Sequence, residues 1–94
     1  MGGEIITTPK RGELYAFSGY MGKLYAGVYR GEGSNTFQFI RIDEVNVERI
    51  KEGKKPYIDY IGGSVMDKRI VRVDERVLSL EDQKITREIK QLMI

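Results

Sequence analysis

The chain has 94 residues, of which 40% are hydrophobic, and its 16 basic and 14 acidic side chains give a net charge of +2. This length suits one domain over residues 1–94, and the apolar content argues against disorder. The sequence contains neither cysteine nor histidine, which excludes disulfides, thiol nucleophiles, imidazole catalysis and the usual zinc sites. We therefore predict a protein that is not an enzyme, with no catalytic residue, no metal site and no cofactor.

The N-terminal segment 1–10 lacks the apolar region of a secretory signal, and we expect it to be a flexible tail. No stretch approaches the roughly 20 apolar residues that a membrane helix needs. These features predict a cytoplasmic protein that has no membrane partner. Few Asn and Gln beside many Lys, Arg, Glu and Ile give a thermophile-like composition.

Glycine and proline recur about every ten residues, with short β-branched and aromatic runs between them. This spacing predicts a mainly β fold, either a small SH3-like barrel or a curved antiparallel sheet of five to six strands with a C-terminal helix. The predicted strands are 13–18, 23–30, 36–42, 45–50, 56–61 and 69–73. An α+β domain in which residues 44–52 form a short helix is the alternative, because Val45 and Ile50 also fit a helix.

The first predicted strand carries the only family resemblance in the sequence. The run Lys10-Arg11-Gly12-Glu13-Leu14-Tyr15 resembles the opening strand of PemK/MazF-type toxins, which are ribonucleases with an SH3-like barrel. The resemblance covers six residues, and the Arg-Pro strand start that follows in that family has no counterpart here. It implies an SH3-like barrel and, as a remote alternative function, an RNA-cleaving toxin, but no catalytic residue is carried over.

The second and third predicted strands form a hairpin with two different faces. If residues 31–35 make the turn, Tyr29 lies opposite Phe37, and alternation then sorts the side chains into two sets. The aliphatic set is Leu24, Ala26, Val28, Ile40 and Ile42. The other set is Tyr25, Tyr29, Phe37, Phe39 and Arg41.

The face with the rings has two possible roles. It is either a second buried surface or an exposed platform on which nucleic-acid bases stack, with Arg41 adding charge. Three short basic groups are candidate phosphate contacts, and the net charge permits such binding. The candidate residues from these groups are Lys54, Lys55, Lys68, Arg69 and Arg72. This pattern predicts a non-catalytic small β-barrel that binds DNA or RNA.

The last predicted element is a helix over residues 79–93 that begins at an N-cap, Ser79. Its apolar positions have the spacing of one helix face, formed by Leu78, Ile85, Ile89 and Leu92. This face either closes the sheet or binds a protein partner or a second copy of the chain. The second possibility predicts a protein–protein adaptor or an accessory subunit of a larger assembly, which is the main alternative function.

Overall fold

The computed structural model describes residues 9–18, 22–33, 36–62 and 70–93. Within these ranges, five antiparallel strands form one open sheet with the order β4-β3-β2-β1-β5. The elements are β1 (Leu14–Ser18), β2 (Leu24–Gly33), β3 (Thr36–Arg41), helix α1 (Glu44–Lys51), β4 (Ile58–Gly62), β5 (Val71–Arg72), a 3-10 turn (Glu75–Val77) and helix α2 (Leu80–Leu92). The prediction of a mainly β sheet with a C-terminal helix is confirmed, and the sheet is not closed into a barrel.

The β2–β3 hairpin differs from the prediction in its register. Tyr29 pairs with Phe39 instead of Phe37, and the pairing shifts between Tyr29 and Gly31. The irregularity requires glycine, because Gly31 has a φ of 146°, a backbone angle that other residues rarely adopt. The strand also continues to Gly33, beyond the predicted end at residue 30. The predicted turn at 31–35 is therefore wrong, since its first residues belong to β2.

The strand predicted over 45–50 is wrong, because this segment is helix α1. Asp43 caps the helix by accepting a hydrogen bond from the Val45 N–H at 2.9 Å. Glu44 in the first turn, and Arg49 and Lys51 in the last, suit the helix dipole. The structure agrees with the helix that the α+β alternative places at 44–52.

The C-terminal helix lies where the sequence predicts it. The Ser79 Oγ accepts a hydrogen bond from the Asp82 N–H at 3.1 Å, which caps the first turn of α2. Ile85 and Ile89 are buried, and Leu78 packs against the same cluster. The apolar face of α2 therefore covers the sheet.

The two faces of the sheet carry two separate cores, as the alternation of the hairpin predicts. The aliphatic core lies between the sheet and the two helices, and its buried members are Leu14, Val28, Ile40, Val47, Ile85 and Ile89. The opposite face carries an aromatic core that includes buried Ile61 and Ile70 with the rings Tyr15, Phe17, Tyr29 and Phe39. The sheet is therefore filled on both sides by different apolar chemistry.

The N-terminal tail predicted over residues 1–10 falls mostly on residues 1–8, which lie outside the described residues. The two remaining residues belong to the folded part of the chain. Pro9 is buried, and the Lys10 N–H donates to the Tyr15 hydroxyl at 2.7 Å. The backbone at residue 10 is thus bonded to a ring of the aromatic core.

Candidate functional site

Two of the four rings predicted to form a stacking platform are buried. Tyr29 is 5% exposed and Phe39 is inaccessible to solvent. Phe39 stacks on Phe17 with ring centroids 4.6 Å apart, and burial raises the pKa of Tyr29, with Glu32 and Tyr15 adding to the shift. An outward-facing platform at Tyr29 and Phe39 is therefore wrong, since neighbouring rings already fill the space that a base would need.

The other two rings of this set lie at the margin of the aromatic core. Tyr25 and Phe37 are partly buried and pack against it. The Tyr25 ring is covered by Arg41, whose guanidinium carbon lies 3.7 Å from the ring centroid. One face of the Tyr25 ring is thus already occupied by a cation of the protein.

Arg41 is also engaged by a carboxylate. Its Nε and Nη2 donate to the two oxygens of Asp59 at 3.0 and 2.7 Å. The hydrogen bond from this side chain to Asp59 raises the pKa of Arg41 further above its ordinary value. Arg41 and Asp59 line a cavity of about 260 Å³ together with Asp43 and Tyr57. With two carboxylates against one guanidinium, this cavity does not favour a phosphate.

The predicted lysine and arginine contacts are divided among several environments. Lys54 and Lys55 are exposed in the connection between α1 and β4, and Lys54 lies 3.2 Å from Glu52. Arg72 on β5 forms an ion pair with Glu13 at 2.8 Å. Lys68 and Arg69 lie outside the described residues. Among the described members of the set, Lys55 alone has no salt bridge.

The residues predicted to dock a partner belong mainly to the aliphatic core. Ile85 is 8% exposed and Ile89 is fully buried, while Leu92 is 38% exposed. A partner cannot reach Ile85 or Ile89 while α2 stays on the sheet. A partner face along the whole of α2 is therefore wrong for these two residues, and the helix closes the sheet instead.

A different surface brings together Arg11, which belongs to one of the three basic groups of the sequence, and Arg30, which the sequence did not single out. Arg11 and Arg30 line a cavity of about 220 Å³ whose other walls are Ile40, Ile50, Pro56, Leu92 and Met93. The Arg11 Nη1 donates to the Arg30 carbonyl at 2.8 Å, and its Nη2 donates to the Met93 carbonyl at 3.3 Å. Neither guanidinium lies within salt-bridge distance of a carboxylate of the described residues. The cavity is thus positively charged and otherwise apolar.

An exposed aromatic ring lies on the same side of the sheet. Tyr60 on β4 is 61% exposed and is paired across the strands with Gln38, which receives a hydrogen bond from Arg30 at 3.4 Å. Directly paired residues have Cβ atoms about 5 Å apart and share a face. We call Arg11, Arg30, Gln38 and Tyr60 the Arg30 surface.

The alternation of the hairpin contained a signal for this surface. Arg30 follows Val28 by two residues, so the alternation places it on the aliphatic face. A cation among the aliphatic side chains of one face is unusual, because a buried charge is costly. Such a residue is expected where the helices no longer cover the sheet. Tyr60 carried no such signal, because its exposure depends on where α1 and α2 end.

Among the described residues, no group of three or more acidic side chains lies close enough together to hold a metal ion. Neither α1 nor α2 is long and apolar enough to cross a membrane.

Comparison with known proteins gives no relative. No family model matches the chain, and no curated protein and no solved structure is significantly similar to it.

Proposed function

We propose that this protein binds nucleic acid without catalysis, and that it does so through the Arg30 surface and not through the aromatic core. The observation that carries the proposal is the position of Arg11 and Arg30 beside one cavity, without a carboxylate partner among the described residues. Gln38, which receives a hydrogen bond from Arg30, is paired across the strands with the exposed Tyr60. Phosphate groups bind guanidinium groups well, and bases stack on exposed rings.

The chemistry of this surface matches what a flexible single strand offers. Stacking of one base on an aromatic side chain contributes about 1–3 kcal/mol and does not depend on the sequence of the strand. Lys55 immediately precedes Pro56, which lines the cavity, and its exposed side chain forms no salt bridge with the described residues, so it adds positive charge near the cavity. The proposed ligand is therefore single-stranded DNA or RNA, held by charge and stacking.

Two further features belong to the proposal. A chain without cysteine is suited to the reducing cytoplasm, where nucleic acid is also present, and we place the protein there. The open five-stranded sheet, filled on one face by rings, is proposed to be a variant of the SH3-like barrel. The short resemblance at residues 10–15 supports that relation.

Titration of fluorescently labelled oligonucleotides tests the proposal. Single-stranded DNA, single-stranded RNA and duplex DNA are each titrated at low salt and at about 0.15 M salt. We expect the single strands to bind more tightly than the duplex, and all binding to weaken as salt rises, because released counterions drive the association. Electrophoresis of the RNA after incubation should show intact strands, whereas cleavage would favour the toxin alternative.

Variants at Tyr60 assign the binding to the surface. Replacing the ring by Tyr60→Ala should weaken binding of single strands by about tenfold, while Tyr60→Phe, which keeps the stacking surface, should bind like the wild type. Leu80→Ala is a control at an exposed residue of α2. Absence of binding to every oligonucleotide at low salt would refute the proposed function.

The second candidate function, a protein–protein adaptor, has one observation in its favour. Val77, at the end of the 3-10 turn, and Leu80, the first residue of α2, are 62% and 82% exposed. Exposed apolar side chains of this kind are typical of contact sites when they form a continuous patch. Light scattering decides the homodimer version, since a dimer that Leu80→Lys dissociates would support it and a monomer at all concentrations would exclude it.

A further inference from the structure

The cavity between Arg11 and Arg30 is too small for a whole ligand and large enough for one charged group. Its volume is about 220 Å³, whereas sites for drug-sized ligands usually measure about 300–1,000 Å³. Five of its seven lining residues are apolar, so the two guanidinium groups are its only charged walls. An anion that enters therefore meets two guanidinium groups, and no carboxylate among the lining residues competes with it.

Arg11 is held in place before any ligand arrives. The main hydrogen bond goes to the Arg30 carbonyl at 2.8 Å, 19 residues away in the chain, and a longer one goes to the Met93 carbonyl at 3.3 Å, 82 residues away. One of these carbonyls belongs to β2 and the other to the residue that ends α2. Fixing a side chain in advance reduces the entropy that binding would otherwise cost.

Arg30 retains most of its hydrogen-bonding capacity. A guanidinium carries five N–H donors in a planar fork, and the described contact of Arg30 is one hydrogen bond to Gln38 at 3.4 Å. That distance is at the long end for a hydrogen bond, so an anion can displace it at little cost. A phosphate fits two such forks better than a carboxylate does, because it offers a third oxygen.

We infer that this cavity is a phosphate-binding subsite, which takes a phosphate of the strand whose neighbouring base stacks on Tyr60. The inference rests on the proposed function and specifies its ligand chemistry. A base inside a duplex has both faces covered by its neighbours, so only an unpaired nucleotide can occupy both positions at once. The phosphate comes either from within the strand or from its 5′ end, and the experiment distinguishes these sources.

The experiment compares Arg30→Gln with Lys84→Gln, an equal change of charge at an exposed position of α2. Each protein is titrated with a short oligothymidylate bearing a 5′-phosphate, with the same strand lacking it, and with inorganic phosphate. Arg30→Gln should lower the affinity for the strand by roughly tenfold or more, since hydrogen bonds between charged groups contribute about 1.5–3 kcal/mol. It should also reduce the salt dependence by about one phosphate contact, while Lys84→Gln changes the affinity by less than about twofold.

The titrations with the three ligands distinguish the possible results. Tighter binding of the phosphorylated strand identifies a terminal phosphate, and equal binding of both strands identifies an internal one; either result supports the subsite if Arg30→Gln weakens it. Equal effects of Arg30→Gln and Lys84→Gln on strand binding would overturn the subsite while leaving the proposed function intact. If no strand binds but inorganic phosphate shifts the Arg30 side-chain N–H signals in NMR spectra, the subsite is supported and the proposed function fails.

A second variant protects the test from a folding defect. Arg30→Lys keeps the charge and the aliphatic stem but lacks the fork, so its affinity should lie between those of the wild type and Arg30→Gln. Thermal unfolding of each variant verifies that the protein is folded. Wild-type affinity in Arg30→Lys, together with a loss in Arg30→Gln, would indicate attraction by charge alone and would overturn a built phosphate site.

Discussion

Asn46 joins two parts of the chain that the sheet alone does not join. Its side chain is 1% exposed and makes three hydrogen bonds with the backbone. The Nδ2 donates to the carbonyls of Arg41 and Tyr57 at 2.9 and 3.2 Å, and the Oδ1 accepts from the Tyr57 N–H at 2.7 Å. The end of β3 is thereby tied to the residue before β4, so α1 is fixed between the two strands.

We predict that Asn46→Ala destabilises the protein by about 2–4 kcal/mol, because it leaves three backbone groups without their partner in a buried place. The free energy of unfolding in urea measures the change. Thr86→Val is the matched control at another buried polar residue. The Thr86 hydroxyl donates to the Asp82 carbonyl at 2.8 Å, an acceptor within α2, so its loss should cost less than about 1 kcal/mol. Similar losses in both variants would contradict a bridging role for Asn46.

Arg41 and Arg30 show how two residues of one type in one hairpin differ in availability. The sequence singled out Arg41 because alternation placed it with the rings, and that placement is correct. Asp59 faces it from β4, however, and forms a bidentate ion pair. The sequence of the hairpin does not predict this ion pair, because Asp59 lies 18 residues further along the chain. Arg30 keeps its charge available because no carboxylate of the described residues lies within salt-bridge distance of it.

At the scale of elements, the sequence predicted which faces the side chains occupy better than it predicted their pairing. Tyr29 lies opposite Phe39 and not Phe37, a shift of two residues. Because side chains alternate with a period of two, a shift of two leaves every side chain on its original face. The aromatic and aliphatic sets therefore remain separate, although the predicted turn is wrong.

Gly27 leaves space for a ring of the aromatic core. A Cβ at this position would lie 2.9 Å from the Ile40 carbonyl oxygen and 3.2 Å from the Phe17 ring. Glycine thus leaves room for the ring of Phe17 to lie across β2 and reach Phe39. The burial of the rings could not be deduced from the hairpin, because Phe17, Ile61 and Ile70 come from other parts of the chain.

Helix α1 was predicted only as the alternative to a strand, and the reason is local. Val45 and Val47 alternate as in a strand, and the Asp43–Glu44 pair has the composition of a turn. In the structure Val45 is 51% exposed, while Asn46 and Val47 are buried next to each other. This burial of adjacent residues follows a helical face, and Asp43 acts as its cap. The deciding contact is the bridge from Asn46, which no short-range pattern reveals.

We predict that α2 stabilises the fold through its buried face and not through its exposed apolar residues. Ile89→Ala should lower the free energy of unfolding by about 2–5 kcal/mol, because it opens a cavity in the aliphatic core. Leu80→Ala should change it by less than about 0.5 kcal/mol, since Leu80 is 82% exposed. Urea denaturation of both variants measures the difference. A larger loss from Leu80→Ala would show that α2 is held by contacts at its start.

At the scale of the whole molecule, ion pairs cancel the charges of several side chains, and the cations outside these pairs make the surface basic where they lie. One ion pair joins Glu13, the residue before β1, to Arg72 of β5, and another joins Lys51 of α1 to Glu88 of α2. Within each pair the two opposite charges cancel, so the pair contributes little to the long-range attraction of a charged ligand. Arg11 and Arg30 belong to none of the ion pairs of the described residues, so their two charges are not neutralised in this way. A small net charge is thus compatible with a distinctly basic surface.

An ion pair in the connection between β5 and α2 makes the stability of the protein depend on pH under acidic conditions. The Asp74 carboxylate accepts hydrogen bonds from the Arg76 guanidinium, the shortest at 2.6 Å, and from the Arg76 N–H at 2.9 Å. These bonds lower the pKa of Asp74 from 3.8 to about 2. Since the folded protein holds the ionised form, this stabilisation is complete above the unfolded pKa and is lost as the pH falls through the folded pKa.

We predict that Asp74→Asn lowers the melting temperature at about pH 6, and that the difference from the wild type shrinks between about pH 4 and pH 2 as Asp74 becomes protonated in both states. The effect should be small, because the pair is exposed and solvent screens it. Thermal unfolding across this range measures the difference, and NMR titration of the Asp74 carboxyl carbon locates its pKa directly. Arg76→Gln is the control, because removing the donor should return the Asp74 midpoint toward 3.8. A midpoint that stays near 2 in Arg76→Gln would show that another group holds the carboxylate, and the connection before α2 would then need a different electrostatic account.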